Sequence, residues 1–262
     1  MTHLTVPIGF LFVCLLGSSA MADTFPADEG NIEITPLIHS SVQLEYRGTV
    51  VQIDPWNRLG LEGAKPADLI LLTDDVGHHL DVEAIARLRK PDTQIIMAAN
   101  GRDQVPDGIV MANGDTLEIA GMTIEAIPAY DIIPGEPSHP RGEANGYVVT
   151  LGGQRLFFAG VTECVPEVTE LTGIDVAFLA MNVPPNRMTP AAAAECARAL
   201  GPDAVYVYHY DQDYARRALN PGYEGSGLPG GITVDESLRQ FADALSDTAI
   251  EVRTGAWYPP LK

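Results

Sequence analysis

Cations are scarce in this chain. Over 262 residues, 16 Lys and Arg stand against 35 Asp and Glu, a formal net charge of −19. A nucleic-acid partner needs a basic face, and an anionic membrane repels an acidic one, so neither is expected. Cysteine is also rare, with three residues. Cys14 lies in an N-terminal apolar segment. Cys164 and Cys196 remain, and they either pair or pack as small apolar side chains, the commoner fate. Low-complexity tracts and short-period repeats are missing, which excludes arrays and solenoids. What is left, 46% hydrophobic and 19% charged, is the composition of a soluble globular protein of one domain.

The apolar run Val6 to Leu16 is too short to cross a bilayer as a helix. It ends in Gly17-Ser18-Ser19-Ala20-Met21-Ala22, where Ala20-x-Ala22 fits a signal-peptidase site, although Met1-Thr2-His3 supplies no Lys or Arg. Val13 before Cys14 is too large for a lipid-attachment site, so no stable membrane anchor is expected. The organisation read here is a signal peptide at 1–22, a polar mobile leader at 23–30 and one domain at 31–262, in a periplasmic or secreted protein.

Strand signals come close together at Ile32–Ile38, Val42–Tyr46 and Thr49–Ile53, with Arg47-Gly48 as a hairpin turn. Leu69–Leu72 is a continuous apolar run, as in a sheet covered on both faces. Asp81 is placed to cap a helix to Lys90. Further strands are expected at 94–98, 116–119, 122–127, 147–151, 155–158, 175–179, 204–208 and 250–253. Gly152-Gly153 marks a second hairpin. A short helix is expected at 166–171, and Thr189 and Thr233 open helices to Leu200 and Leu245. Strands dominate the first half and mix with helices later, which predicts an α/β fold of two sheets with helices outside.

Five of the six His lie beyond the leader. His39 ends the first strand, His78 and His79 follow Leu69–Leu72, His139 sits in a long Pro-containing loop, and His209 follows Val205-Tyr206-Val207-Tyr208. Ligands at the ends of several strands converge on one edge of a sandwich. Such a cluster with carboxylates suits Zn, Fe or Mn. Each His by itself also fits a hydrogen-bonded or exposed residue without a metal.

The order of segments resembles the metallo-β-lactamase superfamily, in the branch of ascorbate-6-phosphate lactonase. The resemblance rests on Ile38-His39, Asp54-Pro55, the strand into Thr73–His79, Ile127-Pro128-Ala129-Tyr130, His139-Pro140, Asn145-Gly146-Tyr147, Gly160-Val161-Thr162, Met181-Asn182 and Tyr208-His209-Tyr210. It implies a four-layer αββα sandwich. In that family a T-H-x-H-x-D-H motif and a G-D-T bridging Asp hold two metals around a hydroxide. Here Asp74 takes the first His, Val76 the second, His78 the Asp, and Val161 the bridging Asp, while His79 and His209 are kept. Valine cannot ligate, so the resemblance implies a badly damaged first metal site. His78, His79 and His209 are expected to hold at most one zinc, with Asp74 or His139 as weaker additions, and His39, Asp54 and Asn182 are expected to line the pocket.

Two functions follow. One is an exported hydrolase of a small-molecule lactone, ester or phosphoester, with no catalytic side chain assigned. The other is an inactive, metal-free homologue retained to bind a ligand or a partner. The leader generates its own test. Intact-mass measurement of protein from a periplasmic extract is expected to show a chain starting at Asp23, and a retained Met1 would refute export by cleavage after Ala22.

Overall fold

The computed structural model describes residues 22–59, 61–132, 139–183, 187–225 and 227–258. Residues 1–21 of the expected signal peptide, and the centre of the long Pro-containing loop, lie outside these residues.

Two seven-stranded sheets stack face to face. The first runs in chain order: β1 (Asp23–Ala27), β2 (Gly30–Ile38), β3 (Ser41–Tyr46), β4 (Thr49–Ile53), β5 (Ala67–Leu71), β6 (Arg89–Met97) and β7 (Ile109–Val110). The second comprises β8 (Thr116–Ile119), β9 (Met122–Ala129), β10 (Ala144–Leu151), β11 (Gln154–Phe158), β12 (Val176–Ala180), β13 (Ala204–Tyr208) and β14 (Glu251–Arg253), also in chain order. Each sheet begins antiparallel and turns parallel, from β4 to β7 in one and from β11 to β14 in the other.

Strand parity explains the layers. In β5 and β6, Leu69, Leu71 and Ile96 join the core between the sheets. Ile70 and Ile95 face the other way and pack with Ile85 of α1 (Val82–Leu88). Both faces are therefore covered, and the unbroken apolar run is the consequence. On the second sheet, α2 (Pro166–Thr169) and α3 (Pro190–Leu200) follow β11 and β12, α4 (Tyr214–Leu219) follows β13, and α5 (Val234–Leu245) packs on α3. Ser237, Phe241 and Leu245 recur every fourth residue on the buried side of α5. The arrangement is the αββα sandwich that the segment order implied.

Local chemistry accounts for the boundaries. Arg47 and Gly48 have φ of 51° and 86°, and Gly152 and Gly153 have φ of 57° and 79°, the paired positive values that a two-residue hairpin requires. The Asp81 side chain accepts from the amides of Glu83 and Ala84. The helix it opens ends at Leu88 rather than Lys90, because the residue before Pro91 is pushed out of the helical region. The leader expected to be mobile is instead β1, paired antiparallel with β2 from Asp23 to Ala27. Its composition is polar because it is an edge strand, in which only Phe25 is buried.

Cys164 and Cys196 are bonded, with Cα atoms 5.6 Å apart, joining the loop after β11 to α3. The commoner fate expected for these two residues, unpaired burial, is thus corrected. The bond closes a loop with a sequence separation of 32. Replacing both cysteines by Ala is expected to lower stability by about 2–4 kcal/mol, read from urea unfolding. A change below about 1 kcal/mol would show that the bond adds nothing to the fold.

Candidate metal centre

The carboxyl ends of the parallel strands meet along one edge of the sandwich. His39 follows β2, Asp54 follows β4, Thr73 to His79 follow β5, Asn182 follows β12 and His209 follows β13. Four of these residues adopt left-handed backbone: His39 (φ 59°), Asp54 (φ 44°), Asn182 (φ 61°) and His209 (φ 57°). Such conformations cost about 1–3 kcal/mol each and persist only where neighbours hold them. Here the holds are visible. The amide of Asp54 donates to Leu71 O at 2.9 Å, that of Asn182 to Met188 O at 2.6 Å, and that of His209 to His39 O at 3.0 Å. The last of these joins the two sheets at the site.

Asp54 is fully buried and accepts three hydrogen bonds: from Thr73 N at 2.7 Å, Thr73 Oγ1 at 2.6 Å and His79 Nδ1 at 2.6 Å. A carboxylate can only accept, so Nδ1 of His79 carries a proton and Nε2 is turned outward. That Nε2 lies 3.1 Å from His209 Nε2, with the two rings nearly parallel. Gln212 Nε2 donates to His209 Nδ1 at 2.7 Å. In the neutral state a single donor chain results, from Gln212 through His209 and His79 to Asp54.

His39 stacks on His209 with ring centroids 3.7 Å apart, and His78 lies 5.2 Å from both. Donor atoms of His39, His78 and His209 all fall within 4.8 Å of one another. Three imidazoles at this spacing suit one zinc-like ion with an open coordination position. Sequence reasoning expected His79 in this trio and His39 beside it. In the structure His39 joins the trio, while His79, in the grip of Asp54, turns its Nε2 toward His209 Nε2.

The remaining expected residues are distributed differently. Asp74 and His139 face each other, with Nε2 of His139 at 3.5 Å from Asp74 Oδ2, and His139 Nδ1 is 3.5 Å from Asp131 Oδ1. Arg187 neutralises Asp131 at 2.8 Å. These residues form a charged group of their own beside the imidazoles. Asn182 donates to Tyr210 O and Ser237 Oγ, bracing α5 rather than lining a pocket. Asp54 is likewise beneath the site. Val161 packs in the core between the sheets, and Val76 is 40% exposed. Neither valine offers a donor atom, and the trio His39, His78 and His209 is the group among the described residues whose donors fit an ion.

A cavity of about 350 Å³ opens over His39 and His78, walled by Trp56 and Tyr258 and rimmed by Arg58 and Arg216. Tyr258 was missed by sequence reasoning. Its hydroxyl is 2.8 Å from His39 Nδ1, so Nε2 is the nitrogen left for a ligand. Nothing local marks Tyr258, which reaches the site because the chain returns past β14. Gln212 carried a weak signal, one position past the Tyr-His-Tyr-Asp run.

Residues 33–209 match the family described as the β-lactamase superfamily domain. A metal-dependent hydrolase of Thermus thermophilus is 29% identical over 220 residues, which cover 76% of this chain and 97% of that protein. A solved structure of a candidate metal-dependent hydrolase from Parabacteroides distasonis is 36% identical with a TM-score of 0.76, covering 90% of this chain and 99% of that one. A metallo hydrolase from Ignicoccus hospitalis shares the fold at 21% identity and a TM-score of 0.65, covering 85% and 94%.

The imidazoles make stability depend on pH. Burial, with His78 and His79 alongside, holds His39 well below the usual range. Burial, reinforced by His79 and His139, pushes His78 down to about 3. Burial, reinforced by His39, His79 and His78, lowers His209 strongly. Burial also pulls His79 down, but the charge and hydrogen bond of Asp54, with Asp74 behind, outweigh it and raise His79. Below about pH 6.5 the unfolded chain therefore takes up protons that the first three imidazoles refuse in the folded state. His79 opposes this, since its contribution is present at low pH and lost above its raised value, but it is one group against three. The melting temperature of the metal-stripped protein is expected to fall from pH 7 to pH 5, less steeply in His39→Phe. A flat profile by calorimetry would contradict the assignment.

Proposed function

The chain belongs to the β-lactamase superfamily domain family, among relatives that are metal-dependent hydrolases, and from that premise we propose a hydrolase that works with a single metal ion. The observation that carries the proposal is the trio His39, His78 and His209, with donor atoms within 4.8 Å, of which His39 and His78 line a cavity and His209 is buried beside them. His79, held by Asp54, faces Nε2 of His209, and Tyr258 and Gln212 orient His39 and His209. His39, His78 and His209 would hold the ion, which would supply Lewis-acid polarisation of an acyl or phosphoryl oxygen and activation of water. The chain's own part is positional. Asp54 fixes the His79 ring, and left-handed backbone aims His39 and His209 at one point. Trp56 and Tyr258 restrict water at the mouth. Substrates in this reading are small lactones, esters or phosphoesters.

Export is part of the proposal. The apolar N-terminal run ending in Ala20-Met21-Ala22 supports it, and so does the Cys164–Cys196 bond, because disulfides persist in oxidising compartments. Among the described residues no helix is long and apolar enough to cross a membrane.

One observation favours a second reading, a metal-free binding protein: the donor chain from Gln212 to Asp54 satisfies His79 and His209 without an ion. Elemental analysis after purification without added metal separates the two. The hydrolase reading expects close to one equivalent per chain, and turnover of a lactone, ester or phosphoester that chelator abolishes and zinc restores. His78→Ala and His209→Ala are each expected to weaken metal binding by at least about tenfold. Absence of both metal and turnover in the wild type would transfer the site to the second reading, and two chelator-resistant equivalents would refute the single-metal site.

A further inference from the structure

The cavity rim carries a feature that the chemistry at its floor does not use. Most Lys and Arg side chains in the described structure are tied into ion pairs with the abundant acids, as in Arg155–Glu125 and Arg239–Asp243. Arg58 is exposed at the rim of the cavity and, among the described residues, makes no hydrogen bond or ion pair. Arg216 lines the same cavity, 3.8 Å from Asp213 and donating to Tyr223 Oη at 3.2 Å, with its side chain 69% exposed. The acids of the rim are already matched. Asp211 pairs with Arg217, and Asp213 accepts from Tyr223 Oη at 3.1 Å as well as facing Arg216. Arg217 and Arg216 thus each answer one acid, and in a chain of net charge −19 Arg58 is the rim cation left over, above the imidazoles.

We propose that the cavity mouth is an oxyanion subsite: Arg58 holds a carboxylate or phosphate carried by the substrate, remote from the bond that is cleaved, while Arg216 offsets the charge of Asp213 beside it. Guanidinium suits such groups because its N–H fork matches two oxygens at once. Trp56, with its ring 5.4 Å from His39 and 6.2 Å from His78, supplies an apolar wall between the subsite and the metal centre. A volume of about 350 Å³ sits at the small end of ligand sites, which limits the substrate to a compact organic anion. Long-range repulsion by the acidic surface makes a local cation necessary for such a molecule to settle. The substrate class deepens the hydrolase reading and rests on it, but its test does not need turnover.

The test is a thermal-shift and calorimetric titration of the mature protein, stripped of metal and loaded with zinc, using benzoate, phenyl phosphate and uncharged benzyl alcohol as probes. The wild type is expected to be stabilised by one or both anions and not by the alcohol, in both metal states. The stronger anion identifies the carboxylate or phosphate preference. Arg58→Gln is expected to weaken anion binding by at least about tenfold and Arg216→Gln by less. Arg102→Gln, on an exposed arginine away from the cavity, should match the wild type. No anion-dependent stabilisation of the wild type would overturn the subsite. So would anion binding that survives intact in both Arg58→Gln and Arg216→Gln, because the anion would then sit on the metal or the imidazoles. Anion binding lost in Arg58→Gln, in a protein that hydrolyses nothing, would keep the subsite and remove the hydrolase reading.

Discussion

Burying an ionised carboxylate is costly unless hydrogen bonds replace its water, and Asp54 is fully enclosed. Three donors compensate it, and each belongs to the loop that follows β5: Thr73 through its amide and hydroxyl, His79 through its ring. Removing any of these donors leaves charge stranded in the interior, so the loop has one way to sit. The neighbouring links depend on that placement. Thr73 O accepts from Asn145 N at 3.0 Å and Leu72 O accepts from Tyr147 Oη at 3.0 Å, both donors coming from the opposite sheet. His79 then meets His209, whose amide is bound to His39. One buried anion thereby registers two sheets against each other at the edge where the imidazoles gather.

The fold was legible in the sequence because its signals are local. Glycine pairs specify hairpins, threonines and an aspartate cap helices, and an unbroken apolar run announces a strand covered on both sides. The elements that were missed lacked those signals. β1 is a polar edge strand whose partner is set by the next hairpin. β7 spans two residues, and α4 is a short helix within a site loop. The boundary at Leu88 was decided by Pro91, a neighbour effect that periodicity does not register.

The site was legible in outline, since strand ends named His39, His78, His79 and His209 together. Their division of labour was not, because it is set by distances across the two sheets. Asp54 and Asn182 looked like lining residues from their place after strands, yet the side chains turn inward and brace the frame. Asp74 and His139 found partners in each other. Tyr258 is separated from His39 by most of the chain, and only the closing of the second sheet brings the two within 2.8 Å.

The left-handed backbone at His39, Asp54, Asn182 and His209 has an evolutionary consequence. Side chains change by single codons, but four strained peptide conformations, each anchored by a different part of the sandwich, form a trait that many positions maintain jointly. Substitutions at single positions such as Asp74, Val76 or Val161 therefore leave the geometry that aims the imidazoles intact. Such a frame lets different side chains be tried at the same edge without rebuilding it. The imidazole cluster is in this sense an inheritance of posture more than of residues.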